Sequence, residues 1–421
     1  MNISLEGVHE LSYKLSEPDW LRNNRAEAFR ISERLPLPES RHTRIKGLTF
    51  ASLNPEPDGA GKGIDLYRTD GPFQFLQINS RVIKVPDESS LKQTGVIITD
   101  MNTASKKYPE IVREFFINLT TDETQDKFES LLRAFFSGGI LIYVPKNVQM
   151  NEPIYSSFII SGSGTAMFVP VVIIAEEGSS LKVIDNYSSS DVINSPSLIV
   201  SSVFAFVKDS AKIDYISTKN FDKNIFSFST LRSFLNRDSH IDWRVGWFGA
   251  RLGIGRLFNY LKGEGADFNE AQVFFLNGKE HLHISSNIFH QCRHTTAKVL
   301  IKGALRDNAR SVLYGNVKIE KDAQDADSFL SDHVMLLNSG ARADSIPGLE
   351  IKANQVRASH SASIGQIDEE QVFYLMTRGL PEHDAKRSIV SGFLSPVIES
   401  IPHEQLKEQV WESFHRKWME A

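Results

Sequence analysis

The run HLHISSNIFHQCRH, residues 281–294, places His281, His283, His290 and His294 together with Cys292 in fourteen positions. Imidazole and thiolate are ligands that suit zinc or iron. On strands, alternation puts His281 and His283 on one face, and His290, Cys292 and His294 on one face of the next run. Two neighbouring coils would then gather both sets around a metal. The spacing matches no familiar ligand set, so a pair of exposed strand faces is the competing reading. A second histidine stands apart. His360 sits in ASHSAS, residues 358–363, among side chains almost too small to pack. Such neighbours let a second backbone approach closely; alternatively the ring satisfies hydrogen bonds at a strand end.

Other segments carry less chemistry. In PDGAGKGID (57–65) too few residues separate the first glycine from Gly61-Lys62 for a phosphate loop, and Gly63 stands where Ser or Thr would hold magnesium. In GARLGIGRLF (249–258) Phe258 stands where a dinucleotide motif opened by Gly253 and Gly255 needs its third glycine, and the stretch reads as a strand corner. SGSGT (161–165) is a turn, not a nucleophile elbow. EKDAQDADSFLSD (320–332) has Asp322, Asp325, Asp327 and Asp332 without calcium-loop spacing, and reads as a solvated turn. None of these is a self-contained active site.

Composition narrows the classes. The net charge of −5 is not that of a nucleic-acid binder. No apolar run is long enough to span a membrane, and MNISLEGVHELSYKLSEPDW lacks the layout of a signal peptide. A cytoplasmic protein is expected. One cysteine rules out an intrachain disulfide and a four-cysteine metal or cluster site. Metal chemistry must therefore use histidines, carboxylates or a partner's ligands.

Three regions must position these residues. Residues 1–136 read as mixed and mostly helical, with EPDWLRNNRAEAFRISERLPLP carrying Trp20, Leu21, Phe29, Ile31 and Leu35 before a proline exit. A capped helix is expected within 122–139. Residues 137–365 repeat short apolar or alternating runs after small polar turns at Gly178, Asp209, Asp238 and Gly265, spaced by 31, 29 and 27. Later turns at Gly278, Asn308, Asp322 and Gly340 follow at 13, 30, 14 and 18. Hairpin signals are scarce, which argues against a sandwich or barrel. A parallel β-helix needs only short strands and quasi-regular turns, and its open ends need covers, which the N-terminal region and the C-terminal helices are expected to supply. Residues 366–421 read as helical. Asp368 is the expected N-cap of a helix burying Val372, Phe373, Leu375 and Met376. Leu406, Val410, Phe414 and Trp418 form a stripe that suits either self-packing or partner docking.

From about 249 to 392 the chain resembles the SufB/SufD family of iron–sulfur cluster assembly scaffolds. The resemblance is carried by LKGEGADFNEAQVFF (261–275), FHQCRHTTAKVLIKG (289–303), NVKIEKDAQDADSF (316–329), LLNSGARADSIPGLEIKANQVRASHSASIGQID (336–368) and EEQVFYLMTRGL (369–380). The opening EPDWLRNNRAEAFRISERLPLP is also similar to the family's. The resemblance implies a mainly β fold, a right-handed parallel β-helix flanked by an N-terminal mixed region and C-terminal helices. It implies a non-catalytic scaffold bound by a SufC-like ABC ATPase on the C-terminal helices, here through Phe373, Tyr374, Met376 and Arg378. A second, SufB-like scaffold would pair with it at the β-helix ends, or the chain would pair with itself. A nascent iron–sulfur cluster would form at that junction on a SufB-type cysteine and the histidine that matches His360.

LLNSGARADSIPGLEI lacks the late cysteine of SufB-type chains, so the chain looks like the SufD-type partner, offering imidazole alone. It departs from the pattern in places. ASHSASIG replaces the CSHGATVG of many SufD-type chains, so no role resting on that cysteine transfers. ESRHTRIKGL lacks a tryptophan expected after LPLP. Flavin, proposed for complexes of this family, finds no supporting motif. Competing readings are a β-helix carbohydrate-active enzyme, which needs paired carboxylates, and a homodimeric structural protein without cluster chemistry. No acidic pair at adjacent-coil spacing is evident.

Overall fold

The structure, a computed structural model, describes residues 1–56, 71–87, 91, 94–114, 126–190 and 193–420. The glycine-rich stretch 57–65 lies outside them, as do the first residues of the helix expected at 122–139.

From Ile140–Val144 to Val356–Gln366, successive strands join two sheets alternately, and each pairs in parallel with the strand one coil away. The result is a β-solenoid of about eight turns. Before it, Phe73–Ile78, Arg81–Lys84 and Ile97–Asp100 extend both sheets and include antiparallel pairings. The irregular turn spacing has a simple cause, because each coil has two corners. Gly178, Asp209, Asp238, Gly265 and Asp322 turn at one corner, and Gly278, Asn308 and Gly340 at the other. Left-handed backbone recurs at these corners, at Gly178, Ser210, Asp238 and Gly265 on one and at Gly278 and Asp307 on the other.

Three apolar layers hold the fold. The coil interior is filled by alternate residues of both sheets, such as Ile213, Trp243, Phe268, Ile284 and Leu313. Outside one sheet lie the N-terminal helices α1 (Leu5–Lys14), α2 (Asp19–Arg34), α3 (Met101–Lys107) and α4 (Lys127–Phe135), which bury Phe128, Leu132 and Phe135 against Phe168, Phe204 and Phe228. Outside the other lie α5 (Glu369–Thr377), α6 (Glu382–Ile398) and α7 (Glu404–Met419). Strand Ala166–Ala175, AMFVPVVIIA, is buried along its whole length because both of its faces are covered. His281–His290 alternates between half-buried and buried. The last two strands, Arg342–Ile351 and Val356–Gln366, contain no buried residue. The C-terminal end of the solenoid is therefore open.

Leu406, Val410, Phe414 and Trp418 are all buried, packed with Phe275 and Leu394 against the chain's own sheet. That settles the α7 stripe as self-packing. In α5 only Val372 is buried, and Leu375 packs at the margin. The expectation that Phe373 and Met376 complete the buried stripe is corrected, because they are 68% and 41% exposed.

The interior is not wholly apolar. Glu270 lies inside the coil, its carboxylate accepting from Gln272 Nε2 at 2.6 Å and Ser286 Oγ at 2.7 Å. Burial pushes its pKa up to about 7 from 4.5. The folded state thus binds a proton that the unfolded chain releases between those values, and stability falls as pH rises through that window. Glu270→Gln removes the charge and keeps the shape. Denaturant unfolding should find this variant more stable than wild type by about 3 kcal/mol at pH 8, with the gain gone at pH 4.

Candidate functional site

The site is built at the open end by the last coils. Val356–Gln366 is the outermost strand of its sheet and pairs with Ala326–Leu336 in the register Leu330↔His360 and Asp332↔Ala362. Val356 and Ala358 pack on the coil interior, so alternation turns His360 inward with them. Leu330 and Asp332 also face in and are buried. His360 Nε2 lies 2.8 Å from Asp332 Oδ2, which also accepts from Ser345 Oγ at 3.1 Å. Three side chains from the last three strands thus meet on one carboxylate oxygen. Asp332 Oδ1 and His360 Nδ1 are buried and have no hydrogen-bond partner among the described residues.

A glycine makes room for the ring. A Cβ at Gly315 would stand 2.7 Å from His360 Cε1 and 2.7 Å from a Leu330 methyl carbon. Chemically, a carboxylate can only accept, so Nε2 is the nitrogen that donates to Asp332, and in the neutral ring Nδ1 keeps the lone pair. A carboxylate behind an imidazole fixes the ring and makes its other nitrogen a better metal ligand. The small neighbours Ser359, Ser361 and Ala362 are exposed along the free strand edge. His360 itself is not loosely packed: its side chain is only 5% exposed, against the expectation of little packing around it. Around this end Phe329, Leu349, Ile351 and Ile364 are exposed, beside two strand edges with unpaired backbone groups.

Helix α5 begins two residues after the last strand, capped by Asp368, whose carboxylate accepts from the Glu370 and Gln371 amides. Phe373, Tyr374 and Met376 project from it, and the Arg378 guanidinium lies over the Tyr374 ring.

The histidine run does not assemble a metal centre. The strand ends at His290, so Cys292 and His294 lie in the following corner, with His294 in a left-handed conformation. His290 points inward and pairs with Thr295 Oγ1 at 2.8 Å. His281 and His283 point outward, where the N-terminal segment 39–48 crosses the sheet. Thr43 Oγ1 lies 3.1 Å from His281 Nε2 and 2.9 Å from His283 Nδ1. Burial pulls both pKa values down to about 4, which keeps the rings neutral. Next to them His42 lies 3.6 Å from Asp344 of the penultimate strand. Among the described residues, no three His, Cys, Asp or Glu side chains converge as a ligand set.

Sequence reading missed Asp332, taking it for part of a solvated acidic turn. The signal was present in Leu330-x-Asp332-x-Val334, whose alternation places Asp332 on the inward face. Gly315 and Ser345 come from strands distant in sequence and carried no comparable signal.

Comparison with known proteins bears on this arrangement. Residues 158–393 match the family model described as the SUF system FeS cluster assembly, SufBD core domain, and residues 72–155 match the SufBD protein N-terminal region. The chain is 29% identical to the iron–sulfur cluster assembly protein SufD of Bacillus subtilis, over 99% of this chain and 98% of that protein. It is 26% identical to iron–sulfur cluster assembly SufBD family proteins of Staphylococcus epidermidis and Staphylococcus haemolyticus, over 95% of this chain and 90% of each relative. With the core domain model covering more than half of its length, the chain belongs to the SufBD family of the SUF iron–sulfur cluster assembly system, on its SufD-type side.

Proposed function

We propose that the chain is a SufD-type scaffold subunit that holds a nascent iron–sulfur cluster, as cargo, at the open end of its β-solenoid. The observation that carries this reading is the His360–Asp332–Ser345 arrangement on the uncovered last coils. Asp332 orients the ring, and His360 Nδ1 supplies the lone pair. The second ligand would come from a cysteine-bearing SufB-like paralogue docked on the exposed strand edges, since this chain's one cysteine lies in a corner away from the open end. The chain acts in the cytoplasm and turns over no substrate itself.

Helix α5 is the proposed seat of a SufC-like ABC ATPase, because Phe373, Tyr374 and Met376 are large, apolar and exposed beside that end. ATP-driven movement of α5 would act directly on the strand that bears His360. Co-purification of the tagged chain from its native cytosol, with mass spectrometry of what remains bound, tests the assembly. An ABC ATPase and a cysteine-bearing paralogue should be recovered, and a chain that elutes alone would refute it. Phe373→Asp with Tyr374→Asp should lower the recovered ATPase by more than about tenfold, with unchanged thermal melting because both rings are exposed.

One earlier expectation is corrected by the structure. Asp214 and Asp242 do face each other on adjacent coils. Arg244 lies 3.3 Å from Asp214 and 3.1 Å from Asp242, and His240 lies 3.2 Å from Asp242. This is an ion-pair ladder on the outer sheet face rather than the acid and base of a glycosidase.

A further inference from the structure

A cleft of about 1720 Å³ runs along the second corner of the solenoid, between segment 39–48 on one side and α7 on the other. Three of its cations come from consecutive turns of that corner: Lys223, Arg251 and Lys279. The backbone ladder joins these turns, Arg251 N donating to Ile225 O and His281 N to Arg251 O. Each turn therefore sits one strand spacing, about 4.8 Å, from the next. Lys46 and Arg416 face the same space from the two flanks. None of these five cations forms an ion pair with a described residue.

The carboxylates of the cleft are mostly engaged. Glu280 is bound by Lys417 at 2.5 Å and by the Asn277 amide at 3.0 Å. Asp307 accepts from Gly278 N at 2.9 Å, and Asp222 from Asn224 N at 2.8 Å. Glu420 lies 3.2 Å from Lys417, leaving Glu412 on the α7 rim. Seven cations line the cleft against five carboxylates, a surplus of positive charge, and Lys223, Arg251 and Lys279 stand in a row along it. Phe226, Phe248 and Leu252 give the cleft an apolar wall.

We propose that this cleft binds a small molecule carrying two or more phosphate groups. The Lys223–Arg251–Lys279 row takes the phosphates, whose oxygens suit charge-assisted hydrogen bonds from ammonium and guanidinium. The apolar wall of Phe226, Phe248 and Leu252 takes whatever the phosphates are attached to. The source is either inorganic polyphosphate or a nucleotide, and two probes separate them. The inference is independent of the cluster-scaffold reading, because the cleft shares no residue with the open end.

The test is titration calorimetry on the full chain with inorganic pyrophosphate and, separately, with ADP. Both should bind, more weakly as salt rises. The triple variant Lys223→Ala, Arg251→Ala, Lys279→Ala should lose at least about tenfold in affinity for both, equivalent to about 1.4 kcal/mol. All three side chains are exposed, so thermal melting should match wild type. ADP binding more tightly than pyrophosphate assigns the site to nucleotides. Equal affinities assign it to the inorganic ion. Absence of heat with either probe at 1 mM, about the weakest affinity such a titration reads, or undiminished binding by the triple variant, overturns the proposal.

Discussion

His360→Gln should abolish cluster loading while leaving the fold nearly as stable as wild type. The amide of Gln can still donate to Asp332 Oδ2, and its length fills most of the space that Gly315 leaves for the ring. It offers no imidazole lone pair. Cluster content of the purified complex, read by visible absorption and iron analysis, should fall by more than about tenfold. His360→Ala should lose the same function and also destabilise the chain by about 2–4 kcal/mol. It would leave Asp332, whose side chain is 2% exposed, with Ser345 as its one donor. The pair of variants separates a ligand from a packing residue. Wild-type cluster content in His360→Gln would remove His360 from the site; equal loss of stability in both would make its role structural.

The second large effect lies at the other end. Glu17 and Arg25 stand in EPDWLRNNRAEAF, and both side chains are fully buried. Arg25 Nε and Nη2 grip the carboxylate at 2.8 and 2.6 Å, while Nη1 donates to the Ala134 carbonyl of α4 at 3.0 Å. Ser12 adds a hydrogen bond to Glu17, and the Arg25 guanidinium lies 3.9 Å from the Phe136 ring centre. One pair therefore ties together α2, the end of α1 and α4. Arg25→Leu strands a buried carboxylate and should destabilise the chain by about 3–5 kcal/mol. Adding Glu17→Leu should recover most of that loss, because two apolar side chains carry no desolvation penalty. Denaturant unfolding followed by tryptophan fluorescence measures both. A double variant no more stable than the single would show that the pair's hydrogen bonds, rather than its buried charge, govern this corner of the fold.

These two sites differ in how far the sequence revealed them. The solenoid was legible because its turns recur, and because strands such as His281–His290 alternate cleanly once both faces differ in burial. The open end was misjudged: the C-terminal helices were expected to cover it, whereas their apolar stripes pack on the outer face of one sheet and leave the last strands uncovered. Helix α5 was half legible. Val372, Phe373, Leu375 and Met376 have helical spacing, but spacing cannot say how much of an apolar stripe the chain covers itself. The histidine run misled for a local reason: strand alternation was extended past His290 into a corner, where a left-handed residue breaks it. Asp332 was hidden by its neighbours. The four other acids in the same stretch are solvent-facing or at a corner, and only the register with His360 distinguishes it.

The coil geometry also sets a ruler. Each added or removed coil of roughly 30 residues would move the open end by about 4.8 Å along the axis, without changing the cross-section. Helix α5 follows two residues after the last strand, so it would travel with that end. The distance between the N-terminal helices and the open end is therefore adjustable in fixed steps. The relation of His360 to the α5 surface stays constant whatever the number of coils. A chain built this way can change its reach without altering the arrangement of its last coils.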